Sequence, residues 1–381
     1  MFTYEEVKQV HLELSSYCNS SCPTCPRNLD GGVVSPLLKP NSLSLDDIKT
    51  IMPPDFISRL DSMNMCGNYG DPIMAKDLME IVEYLAANNR NLDLLIHTNG
   101  GVRDEDFWLK FGAVISTMPR ARVIFSIDGL EDTNHLYRIG VDWDRLMANV
   151  RSYIMGGGRA VWDFLVFAHN THQIEEARAL SKEMGFIDFI EGQPHGFNYN
   201  GKIRVVDRNG KFIRLIDPAE RFGPQGNMMY SDIKFDLTEE YVVQFYGDIK
   251  GKATDKDHYL YDFQRKRFLA TDGIMVGECM SLKHNEVYID SDGGIHPCCY
   301  LGHINQEALP IAELAYHRKW VEDTIGLDNI NALKRPMKEI IDDYFVRIEQ
   351  SWSKTFSQGG NPMCVFKCGI QRPSGLIRIV E

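Results

Sequence analysis

No stretch of the chain approaches the roughly 18 consecutive apolar residues that a membrane-spanning helix needs. The opening MFTYEEVKQV carries acidic side chains and lacks the apolar core of a secretion signal. These absences point to a soluble, cytoplasmic protein without a membrane partner. Positive charge is also short: 41 Lys and Arg stand against 53 Asp and Glu, a net charge of −12, which argues against a broad nucleic-acid surface. Repeats and low-complexity tracts are missing, and 44% apolar with 25% charged residues excludes disordered and fibrous classes. The cysteines lack the even number and the secretory context of a disulfide framework. Nine of them in such a chain point instead to metal or redox chemistry.

What is present is organised. Seven of the nine cysteines fall in three tight groups: Cys18, Cys22 and Cys25; Cys298 and Cys299; Cys364 and Cys368. Cys66 and Cys279 stand apart. In the first half, short apolar or β-branched runs at 10–14, 62–66, 92–97, 123–127, 162–167 and 186–190 alternate with amphipathic stretches, the pattern of repeated βα units. Leu78, Ile81, Val82 and Leu85 recur at helical spacing, as do Ile174, Ala177 and Met184, while Ser44 with Asp47 reads as a capping box before Ile48 and Ile51. Six units fit between residues 9 and 200. The rhythm changes at about 195–275, where turn dipeptides such as Asn209-Gly210 and Asp217-Pro218 lie among aromatic segments. Residues 276–381 hold five of the nine cysteines, and Asp292-Gly293-Gly294 marks a hairpin there.

Cys18-Asn-Ser-Ser-Cys22-Pro-Thr-Cys25 follows the first expected strand. Three thiolates on one loop can bind three irons of a cubane and leave the fourth open to a small ligand, whereas a closed cubane takes four. A zinc site would want a fourth ligand at the usual spacing, and none follows.

CxxxCxxC after a first strand, within LELSSYCNSSCPTCPRN, resembles the signature of the radical S-adenosylmethionine (SAM) superfamily, and the likeness covers most of the chain. It implies an α/β fold: a partial (β/α)6 TIM-like barrel at 1–200, a linker or substrate-specific insertion at 201–275, and at 276–381 an auxiliary iron-sulfur domain of the SPASM or twitch type. It implies a [4Fe-4S] cluster on Cys18, Cys22 and Cys25 whose open iron is chelated by SAM. Gly67, Asn68, Gly70 and Asp71 resemble the segment that meets the SAM amino group, and Thr98 and Asn99 the one near the ribose. Ser126 and Arg138 match positions that take the SAM carboxylate, for which a guanidinium fork is suited. One departure is Thr24, where relatives carry a large side chain against adenine. Such contacts at strand ends agree with where parallel barrels keep their sites.

Cys279, Cys298, Cys364 and Cys368 resemble the ligands of one auxiliary [4Fe-4S] cluster; Cys299 is the alternative to Cys298, and a structural zinc is the alternative to the cluster. The resemblance implies a 5′-deoxyadenosyl radical that abstracts hydrogen from a peptide or small metabolite, with a flavodoxin- or ferredoxin-type reductant. Alternatives are a carbohydrate or aminocyclitol dehydrogenase or epimerase, and a non-catalytic iron-sulfur or zinc protein. With the first strand near residue 10, no leader-recognition domain is expected ahead of the barrel. Cys66, alone at a strand end, reads as a buried small hydrophobe or as a thiol that gives a hydrogen atom to a substrate radical. His97, His135, His169 and His172 read as loop or satisfied polar residues.

Overall fold

The computed structural model describes residues 2–35, 38–197, 201–222, 275–276, 279–302, 304, 312–354, 358–361, 363–364 and 368–370. Alternating apolar positions put strands β1 (Gln9–Leu12), β2 (Ser62–Met65), β3 (Asp93–Thr98), β4 (Arg122–Ser126), β5 (Ala160–Leu165) and β6 (Asp188–Gly192) side by side in chain order, all parallel. Helices α1 (Leu45–Ile51), α2 (Leu78–Asn88), α3 (Glu105–Ser116), α4 (Trp143–Met155) and α5 (Ile174–Met184) lie in the crossovers. This is an α/β partial barrel.

Strands β1, β2 and β3 bury one face and leave the other half-exposed, as a period of two requires. Val10, Met63, Met65, Leu94, Ile96, Val123 and Phe125 are sealed in the core, whereas His11, Asn64, His97, Ser126 and Asp163 line the other face. Helices are joined to the sheet by aromatics: Trp108 packs against Phe125 and Tyr153 at 5.3 and 5.9 Å between centroids. Gly112 allows α3 and α4 to touch, because a Cβ there would sit 2.1 Å from the Tyr153 carbonyl oxygen.

The expected helix signals hold. Ser44 and Asp47 form the reciprocal capping box, and Leu78, Ile81, Val82 and Leu85 are the buried stripe of α2. The last barrel strand starts two residues later than its apolar run suggested. Gly185 is left-handed, with φ of 92°, and the Phe186 N–H returns to the Ser181 carbonyl, so Phe186 finishes the helix cap instead.

Of the stretch at 201–275, residues 201–222 and 275 are described. They contain a hairpin of β7 (Ile203–Val206) and β8 (Phe212–Ile216), turned at Asn209-Gly210 where Gly210 has φ of 80°. The hairpin sits over the cysteine loop: the Val206 N–H donates to Asp30 O, and buried Arg204 pairs with the Asp30 carboxylate.

Near the C-terminus, β9 (Glu286–Ile289) pairs parallel with β1 on the edge opposite β2, and β10 (Ile295–His296) folds back antiparallel. The turn between them is the expected one, with Gly293 at φ of 84° and the Asp290 carboxylate accepting the Asp292 and Gly294 N–H groups. The cysteine-rich segment therefore extends the barrel sheet by one parallel strand.

Candidate active site

β1 delivers the first cysteine group to the C-terminal edge of the sheet, where parallel strands of one polarity present their loops. Cys22 is buried and Cys18 and Cys25 are half-buried. Polar hydrogens point at their sulfurs. The Ser20 N–H lies 3.4 Å and Asn99 Nδ2 3.7 Å from Cys18 Sγ. Ser20 Oγ lies 3.2 Å and Arg138 Nη1 3.6 Å from Cys22 Sγ. Burial pushes the Cys25 thiol up to about 12, and Cys18 rises with it. Such thiols stay protonated in the bare protein. Bound irons would offset the charge, and the donors would solvate thiolate sulfur, so this donor set fits an iron-sulfur cluster.

The flanking loops are locked to this group. Gly70 lies flat on the chain after β1, since a Cβ there would fall 2.0 Å from Ser15 O. Asp71 is buried and accepts Thr98 Oγ1 and Asn99 N at 2.9 Å, Asn99 Nδ2 at 2.7 Å and Ile73 N at 3.0 Å. Asp71 and Thr98 thus hold two loops together, and Asn99 carries that frame onward to Cys18 and to Asn19 Oδ1 at 2.9 Å.

Arg138 is bonded through Nε to Asp128 Oδ2 at 2.5 Å, and Asp128 Oδ1 also takes the Leu165 N–H at 2.7 Å. Burial opposes the guanidinium's charge, but the Asp128 carboxylate holds it protonated. A fixed cation therefore faces Cys22 at the mouth. Ser126 ends β4 on the half-exposed face, in register with Asp163. Cys66 follows β2; burial, and then the charges of Glu13 and Cys299, push its thiol up to about 12.

The C-terminal cysteines converge on a second place. Cys279, Cys298, Cys364 and Cys368, from three separate segments, line one small apolar pocket with Pro297, Leu301, Met363 and Trp352. Burial and then the neighbouring Cys364 raise the Cys298 thiol, and Cys364 itself is pushed up to about 12. Trp352 Nε1 is buried and its N–H is directed at the Cys364 sulfur. An indole N–H directed at one of four crowded thiols fits a thiolate-bound metal group. Cys299 does not line this pocket; its carbonyl accepts from Asn68 Nδ2 at 3.1 Å. Among the described residues no three His, Cys, Asp or Glu side chains are placed as ligands of one metal ion. A cubane puts its thiolates on separate irons and does not need that arrangement.

No protein-family model and no curated protein matches the chain. Solved structures similar to it include some with S-adenosylmethionine bound. Streptococcus suis SuiB bound to S-adenosylmethionine is 15% identical with a TM-score of 0.45, over 79% of this chain and 62% of SuiB. The protein anSMEcpe with bound AdoMet is 16% identical with a TM-score of 0.45, over 93% of this chain and 88% of its own. BtrN in complex with AdoMet and 2-DOIA is 19% identical with a TM-score of 0.26, over 32% of this chain and 45% of its own. The chain spans less than two thirds of the length of SuiB.

Glu13, Tyr137, Phe167 and Phe197 gave no sequence signal, and His97 and His169 read only as loop or satisfied polar residues. Glu13, fully buried, accepts the Tyr69 N–H at 2.7 Å and the Tyr288 hydroxyl, and ties β1 to β9. Tyr137, Phe167 and Phe197 pack with Cys22 beneath the β7–β8 hairpin, and Thr24 Oγ1 bonds the Tyr137 hydroxyl at 2.6 Å. His169 stacks on Phe167 with its Nε2 buried and unpartnered among the described residues. His97 faces the barrel interior, where burial pushes it down to about 4. Glutamates and aromatics are common in sequence, and only their convergence marks these. Among the described residues no helix is long and apolar enough to cross a membrane.

Proposed function

We propose that the chain is a radical SAM enzyme that modifies a peptide or a small metabolite. The observation that carries the reading is the loop after β1, where Cys18 faces N–H donors of Ser20 and Asn99 and Cys22 faces the Asp128-anchored Arg138. Cys18, Cys22 and Cys25 would hold a [4Fe-4S] cluster with one open iron. Residues 67–71, Thr98, Asn99, Ser126 and Arg138 would surround the SAM, and the β7–β8 hairpin would help exclude water. When bound, cluster and SAM supply one-electron cleavage to a 5′-deoxyadenosyl radical able to abstract substrate hydrogen.

The four C-terminal thiols would ligate an auxiliary [4Fe-4S] cluster fully, in a reduced SPASM- or twitch-like unit spanning 276–381. Full ligation leaves no iron for substrate, which suits electron transfer and a net oxidation, with a flavodoxin- or ferredoxin-type protein supplying the first electron. Cys66 stays a protonated thiol on the face of the sheet that bears His97, the state a hydrogen-atom donor requires.

Anaerobic reconstitution tests the reading. About eight irons per chain, with 5′-deoxyadenosine formed from SAM and dithionite, is the expected result. Intact clusters with no SAM binding and no deoxyadenosine would leave a non-catalytic iron-sulfur protein. Cys66→Ala addresses the donor separately: unchanged product at full iron content removes that role.

A further inference from the structure

The two cysteine sites meet at one side chain. Asn68 lies in the loop that follows β2, and its carbonyl oxygen is 3.9 Å from Cys25 Sγ. Its amide Nδ2 reaches the other way, to Cys299 O at 3.1 Å and to the Tyr288 hydroxyl at 3.3 Å. Cys299 is bonded to Cys298, whose thiol lines the C-terminal pocket, and both residues belong to the short turn that closes on the Leu301 N–H. The next residue, Tyr69, is pinned through its N–H to Glu13, which also takes the Tyr288 hydroxyl. Any adjustment of the turn at 298–302 when the pocket fills therefore moves the acceptor to which Asn68 is bonded. The same loop approaches the N-terminal cysteines on its other side.

We propose that Asn68 is a positioning residue that couples the two sites. Filling of the C-terminal cysteine pocket fixes Cys299 O, Cys299 O fixes Asn68, and Asn68 sets the loop at 67–71 for an S-adenosyl ligand. By reciprocity, the ligand tightens the C-terminal site to the same degree. The proposal rests on the reading of the two sites given above.

The probe is S-adenosylhomocysteine, which is not reductively cleaved as SAM is, titrated calorimetrically into anaerobically reconstituted full-length protein with iron counted in every sample. Cys298→Ala empties the C-terminal pocket, and Cys364→Ala empties it from another segment where the first variant fails to fold. Each is expected to weaken binding about fivefold, the worth of one neutral hydrogen bond, and Asn68→Ala to weaken it by a similar factor. In the double variant the two losses should not multiply, because both break one linkage. Multiplicative losses, or an emptied pocket with undiminished affinity, overturn the coupling while leaving both sites standing. A wild-type protein that holds its N-terminal irons but takes up no S-adenosylhomocysteine overturns the functional reading, and the coupling falls with it.

Discussion

The two cysteine sites are built on opposite plans. The N-terminal one draws three thiols from eight consecutive residues and surrounds them with polar hydrogens from Ser20, Asn99 and Arg138. The C-terminal one gathers four thiols from three segments into an apolar pocket, where the Tyr300 N–H faces Cys298 and Trp352 Nε1 faces Cys364. A loop that keeps its ligands local leaves its fourth corner to whatever the strand ends bring. A pocket assembled from distant segments closes around its contents and contributes to holding those segments together. The difference teaches that thiols can be brought together by the spacing within one loop or by the meeting of distant segments.

The largest effect expected from breaking this contrast is all or none. Cys22→Ala should abolish deoxyadenosine formation and remove about four irons while the C-terminal four remain, whereas Cys298→Ala should remove the other four. Cys299→Ala should remove none, because that thiol does not line the pocket. Iron counts and electron paramagnetic resonance on each reduced variant check this, and iron lost by Cys299→Ala would exchange the two assignments.

Next in size is the fixed charge that sets the N-terminal site apart. Arg138→Met strands Asp128, which is fully buried, and should lower folding stability by about 3–5 kcal/mol in urea unfolding. Asp128→Asn in the same background should restore part of that loss.

The smallest effect sharpens the picture of the barrel interior. His97 is held at about 4 against 6.5 in the unfolded chain. The unfolded chain therefore binds the extra proton, and the stability contributed by neutral His97 is present above about pH 6.5 and lost as pH falls toward 4. His97→Gln should flatten the stability curve in that window by about 1.4 kcal/mol per pH unit at most. An unaltered curve would mean that the imidazole is open to water.

Much of the barrel was legible because its signals are local. The capping box of Ser44 and Asp47 and the stripe Leu78, Ile81, Val82 and Leu85 need no distant partner to be read. The first cysteine group was legible for the same reason. The hairpin at 203–216 was not: its turn residues were visible, but its placement follows from the Arg204–Asp30 pair, 174 residues apart in sequence. Phe186 misled because a hydrophobic residue in a helix C-cap and one at a strand start look alike. His97 and His169, which loop statistics make ordinary, became distinctive through burial and an unpartnered nitrogen.

By itself the sequence determined the alternation of strand and helix, the cysteine loop after β1 and the turn at Gly293, since each rests on contacts within a few residues and on backbone preferences of single side chains. Tertiary structure decided which sulfur of Cys298 and Cys299 faces the pocket, that β9 lies beside β1, and that Glu13, Asn68 and Tyr288 meet between the two sites. Those outcomes depend on which distant segments share a buried surface, and chain spacing carries no measure of that.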